Sequence, residues 1–146
     1  MSYRIPVLRI EMVRERTIAS GVKQIRCAED AWEILRTYLD GVDREHFVVM
    51  VLDTKHNVRG IHTASIGSLD ASVVHPREVL KVAILGSASG IIVGHNHPSG
   101  DPTPSPEDIA VTKRLSEACR IIGIDLLDHI VVGDERFSSL KAQGYM

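Results

Sequence analysis

Apolar residues along this chain switch several times between helical and strand spacing. From Glu29 to Asp40, Ala31, Leu35, Tyr38 and Leu39 recur at helical intervals and Gly41 supplies a stop, which predicts a first helix. Phe47 to Leu52 is an unbroken apolar run rich in Val, as expected of a strand with no solvent face. Asp53-Thr54-Lys55-His56-Asn57 carries turn chemistry, so Val58 to Ser65 should pair back as the next strand. Pro76 suits the first position of a second helix, which runs through Val79, Leu80, Ala83 and Ile84 to Gly86. Ile91-Ile92-Val93 predicts a short buried strand, and a Pro-rich loop from Pro98 to Pro106 leads into a third helix ending at Ile122, with Gly123 as its stop. Ile130-Val131-Val132 should form another strand, and Ser138 or Ser139 should cap a short terminal helix.

Upstream, Tyr3 to Met12 sets Ile5, Val7 and Ile10 among polar residues in imperfect alternation, the pattern of an extended arm or an edge strand. Residues 1–24 therefore read as an arm of the domain formed by residues 25–146. The alternation of strands and helices predicts an α/β fold of three layers, with helices on both faces of a mixed sheet.

Composition narrows the class. A chain of 146 residues, 44% apolar and 25% charged, has the size and balance of one globular domain. Its longest apolar runs fall far short of the roughly 20 residues that a membrane-spanning helix requires. Met1-Ser2-Tyr3-Arg4-Ile5-Pro6 has no leader-like pattern, so a cytoplasmic protein is expected. Cys27 and Cys119 lie far apart, without the spacing of a redox motif or a thiolate metal cage, and are expected to be buried thiols. The net charge is −2 with Lys and Arg dispersed, which disfavours a nucleic-acid partner without excluding one.

The chemistry concentrates in the run from Gly94 to Asp108. Residues i and i+2 of an extended segment project to one side, so His95 and His97 leave the predicted Ile91–Val93 strand with both imidazoles facing one point. Catalytic zinc usually takes three protein ligands and keeps a fourth position open, so a further ligand should lie close by. Asp108 is the best candidate, because it shares a helical face with Val111, Leu115, Cys119 and Ile122. An uncompensated charge there would cost several kcal/mol, which a divalent cation would offset. Glu107, rotated about 100° away, points elsewhere. Ser105-Pro106-Glu107-Asp108 is also a sound helix start with no metal at all, but that reading leaves the paired histidines unexplained.

The same run resembles the JAMM signature of the JAB/MPN metallohydrolases, H-x-H-P followed by a spaced S-x-x-D, with His95, His97, Ser105 and Asp108 at the matching positions. More narrowly, His95 to Pro102, Pro76-Arg77-Glu78-Val79 and Leu127 to Gly133 resemble the RadC family of bacterial JAB-domain proteins, over about residues 25–146. The resemblance implies a JAB/MPN (cytidine-deaminase-like) fold and one Zn2+ ion per chain, held by His95, His97 and Asp108. It also implies a general-base glutamate near the start of the first buried strand, where Glu45 stands. By spacing alone Glu45 is an exposed strand-start residue, and Glu29, Glu33 and Glu78 compete with it. Ser105, as the motif serine, is implied as a hydrogen-bond donor to an oxyanion, a role compatible with capping the helix. RadC proteins usually carry an additional N-terminal helix-hairpin-helix region, for which these 146 residues leave no room.

Two functional classes follow. One is a zinc hydrolase cleaving a peptide, isopeptide or other amide bond in a peptide or protein substrate; the other is a DNA-repair or recombination accessory protein without peptidase activity, as RadC proteins have been labelled. A nucleobase deaminase is excluded by its ligands, since no H-x-E followed by P-C-x-x-C is present. His46, His56, His62 and His75 read as structural, whereas His129, after Asp128 at a strand start, is a candidate for orienting a ligand. Asp53 to Asn57 and Ile66 to Val74 are places where a substrate chain could lie.

Overall fold

The computed structural model describes residues 1–67 and 74–146. Eight elements follow one another: α1 (Ala28–Tyr38), β1 (His46–Leu52), β2 (Val58–Ile66), α2 (Pro76–Leu85), β3 (Gly90–Asn96), α3 (Pro106–Ile122), β4 (Asp125–Val132) and β5 (Phe137–Ser139). The strands form one mixed sheet in the order β2-β1-β3-β4-β5. Only β3 and β4 run parallel, joined through α3 as a βαβ crossover; the other neighbours are antiparallel.

The sheet is covered on both faces, which is why β1 and β3 are apolar without alternation. On one face α1 packs Ala31, Ile34 and Leu35 against Val48, Met50, Leu52, Ile92 and Ile130. On the other, Val79, Leu80 and Ala83 of α2 and Leu115 and Cys119 of α3 meet Phe47, Val49, Ile91 and Val93. Each such side chain contributes about 1.5–3 kcal/mol when fully buried. Leu35 reaches the sheet at Gly94, where an added Cβ would lie 2.6 Å from its Cδ1. The architecture is the three-layer α/β/α arrangement expected from the alternation of elements.

Several local expectations need correction. Tyr3 to Met12 forms no strand: the arm is exposed, Arg16 lies over the Tyr38 ring, and Ile18 packs against the core beneath α1. β4 begins five residues before Ile130, since a bulge at Leu127 breaks the alternation that would have announced it. No terminal helix follows Ser138 and Ser139; both lie in β5, the sheet edge, and Ser139 Oγ accepts the Ala142 amide to close a turn instead. Cys27 is exposed and Cys119 buried, so only one thiol is internal, and burial pushes its pKa up to about 11. Ile122 is also exposed; the buried face of α3 is Asp108, Thr112, Leu115 and Cys119. Most of the segment from Ile66 to Val74 lies outside the described residues. Among the described residues, no helix is long and apolar enough to cross a membrane.

Candidate metal centre

Four ligand-type side chains, Glu45, His95, His97 and Asp108, converge at the end of β3, each offering an atom within 4.8 Å of the others. Sheet register explains much of this. Phe47 of β1 stands opposite His95, and continuing the antiparallel pairing by two positions sets Glu45 opposite His97 on the same face. Asn96 fastens this corner, because its Oδ1 accepts the His46 amide at 2.8 Å while its Nδ2 donates to the Arg44 carbonyl at 3.0 Å. Glu45 Oε1 thereby sits 3.8 Å from His95 Nε2. Glu29, Glu33 and Glu78, its competitors from sequence, belong to α1 and α2 and are not in the cluster.

Asp108 arrives from α3. Ser105 Oγ accepts the Asp108 amide at 3.1 Å and Asp108 Oδ2 accepts the Ser105 amide at 2.8 Å, a reciprocal capping box. The cap and the cluster are therefore two uses of one carboxylate, whose Oδ1 lies 3.1 Å from His95 Nε2 and whose Oδ2 lies 3.0 Å from His97 Nε2. Burial works to raise the Asp108 pKa, but the hydrogen bonds from the two imidazoles and the Ser105 amide overcome it and hold the carboxyl well below the usual carboxylate range. Glu107 is exposed and takes no part.

His97 follows β3, with its amide bonded to the Val132 carbonyl at 2.9 Å and its Nδ1 donating to the Asp101 carbonyl at 2.8 Å. That second bond leaves Nε2 to face the cluster. The hydrogen bond to Asp108 raises the His97 pKa above its ordinary 6.5. His129, fully buried, is pushed the other way by desolvation and stays neutral. His97 contributes stability fully below pH 6.5, and loses it as pH rises through its higher folded value; His129 and Asp108 withdraw stability on the acid side, His129 from 6.5 downward and Asp108 from 3.8 downward. The melting temperature of the chelator-treated chain should thus peak near pH 6.5 and fall on either side, which a pH series of thermal unfolding curves checks.

The Pro-rich loop is locked to the β4–β5 turn. The Asp134 amide donates to the Gly100 carbonyl at 2.8 Å, and a Cβ on Gly133 would fall on that carbonyl and 2.8 Å from the Pro102 ring. Gly133→Ala should cost about 1–3 kcal/mol by overpacking, read as a lower denaturation midpoint in urea with an unchanged slope.

The donor set fits zinc. Two imidazole Nε2 atoms and one carboxylate are the ligands of a catalytic zinc site that keeps an open position, whereas magnesium and calcium favour sites made of oxygen. Access is from the Glu45 and His97 side, whose side chains are each 16% exposed against 1% for His95. Two residues that support this site, Asn96 and Thr112, were not read from sequence, whereas His129, bonded to His95, had been named there as a candidate for orienting a ligand. Asn96 sits inside the H-x-H run, which was the available signal for it.

A family model described as a RadC-like JAB domain matches residues 25–145. A UPF0758 protein of Desulforamulus reducens is 58% identical over 120 residues, covering 82% of this chain and 53% of that protein. One from Geobacillus thermodenitrificans is 57% identical over 122 residues, covering 84% and 54%, and one from Methanococcoides burtonii 48% identical over 124 residues, covering 85% and 54%. The chain spans about half the length of these curated relatives.

Proposed function

The chain belongs to the RadC-like JAB domain family, and from that premise we propose that it is a zinc-dependent hydrolase of the JAMM type, cleaving a peptide, isopeptide or other amide bond in a peptide or protein substrate. The observation that carries the reading is the convergence of His95, His97 and Asp108, a three-ligand zinc set, with a second carboxylate, Glu45, beside it. His95, His97 and Asp108 would hold the ion. Bound there, zinc would supply Lewis acidity, bringing the pKa of water toward about 7 and polarising a carbonyl.

The residues around the ion divide the remaining work. Glu45, on the open side and 3.8 Å from His95 Nε2, takes the proton from the attacking water and returns it to the departing nitrogen. Ser105 spends a lone pair on the Asp108 amide, so its hydroxyl hydrogen stays available to stabilise developing negative charge on the substrate oxygen. A groove lined by Trp32, Arg36, Asn96, His97, Pro98 and Asp134 opens beside His97 and would admit an extended chain. The zinc-loaded protein should therefore hydrolyse at least one member of a panel of peptide, isopeptide and simple amide substrates, and lose that activity to a chelator. A loaded protein inert toward the whole panel, or one whose activity survives the chelator, would count against a metal-dependent amide hydrolase.

A further inference from the structure

Behind His95, away from the open side, lies a chain of buried polar contacts whose hydrogens can be assigned one by one. Thr112 Oγ1 is 2.8 Å from the Asp108 carbonyl, which can only accept, so the single hydroxyl hydrogen is spent there. The same oxygen lies 2.7 Å from His129 Nδ1 and can then only accept, which puts a hydrogen on Nδ1. A neutral imidazole carries one N–H, so His129 Nε2 presents a lone pair. His95 Nδ1, 2.8 Å away, must supply the hydrogen for that contact. His95 Nε2 is thereby turned to the cluster side, where it donates to Asp108 Oδ1 at 3.1 Å until a metal takes the place of that hydrogen. With the opposite His129 tautomer the Thr112 hydroxyl would have to donate to His129 Nδ1, leaving its 2.8 Å contact with the Asp108 carbonyl without a hydrogen.

The surroundings hold this arrangement. Thr112 and His129 have no exposed surface, and the Phe47 ring stacks on His95 and meets His129 edge-on, with centroids 5.9 and 5.4 Å away. The bulge at Leu127 matters as well. With it, His129 stands beside Val93 and shares the face of His95; without it, continuous pairing would set Asp128 there instead.

We propose that Thr112 and His129 are positioning residues that hold a hydrogen on His95 Nδ1, so that Nε2 is the nitrogen that faces the cluster and would take a metal. The inference rests on the zinc-site reading for the ligand it prepares, but its central statement concerns protons in the metal-free chain. Long-range proton–nitrogen correlation spectra of the 15N-labelled, metal-free wild-type protein should show His129 protonated on Nδ1 and bare on Nε2, and His95 carrying a hydrogen on Nδ1; His129 as the Nε2–H tautomer, or His95 bare on Nδ1, overturns the proposal. Thr112→Val frees His129 Nδ1, so it should deplete the hydrogen on His95 Nδ1 and weaken zinc binding, read by competition with a chromophoric chelator, about 10–100-fold. Thr112→Ser, which keeps the hydroxyl, should restore both. A Thr112→Val protein with wild-type tautomers and wild-type affinity refutes the relay, and if that variant does not fold, the wild-type spectrum decides alone. Should the wild-type chain bind no zinc, the hydrolase reading falls, while the tautomers of the same sample still judge the relay.

Discussion

Glu45→Gln should lower turnover by about 10²- to 10⁴-fold while leaving zinc content unchanged. The substitution keeps the reach and bulk of the side chain but removes its capacity to accept a proton. Its position supports the split between chemistry and metal binding: Glu45 Oε1 is 3.8 Å from the nearest imidazole nitrogen, whereas Asp108 lies within 3.1 Å of both. Elemental analysis beside turnover on a substrate from the amide panel measures the two effects together. A Glu45→Gln protein with near wild-type turnover would remove Glu45 from the mechanism and leave the metal site standing.

His95→Ala and His97→Ala should each weaken zinc binding by more than the roughly 10- to 100-fold typical of losing an outer hydrogen-bond partner, because two remaining ligands seldom retain the ion. Asp108→Asn should lower metal content and activity as well. From the sequence alone, deleting this buried charge would be expected to stabilise the metal-free chain slightly. The structure reverses that sign. The carboxylate is compensated by two imidazoles and the Ser105 amide, and its depressed pKa means that folding favours the charged form. Metal-free Asp108→Asn should therefore melt below metal-free wild type at neutral pH, and a higher melting temperature would contradict the geometry.

How far the sequence could be read follows from the range of the interactions. His95, His97 and Asp108 lie in one strand end and one helix start, where local periodicity fixes the direction of a side chain, and the structure brings the three together. Glu45 is fifty residues from His95, and only the pairing of β1 with β3 makes them neighbours; spacing left it level with other glutamates, and the family resemblance singled it out. Thr112 reads as an ordinary helix residue, since nothing local announces that its hydroxyl meets a histidine seventeen positions on. His129 was legible as a candidate for orienting a ligand, but not which ligand, because the bulge at Leu127 changes the face its side chain occupies. The misread C-terminus has a similar origin: Ser139 does accept a backbone amide as a cap would, but Phe137–Ser139 finds its partner in β4, a long-range choice that overrides the local signal.

The zinc content of the purified wild-type chain decides whether the cluster is a metal centre at all. One zinc ion per chain, retained through dialysis and removed by a chelator, is the expected result. A chain that carries no zinc as purified, and takes up none when the ion is supplied in excess, would contradict it.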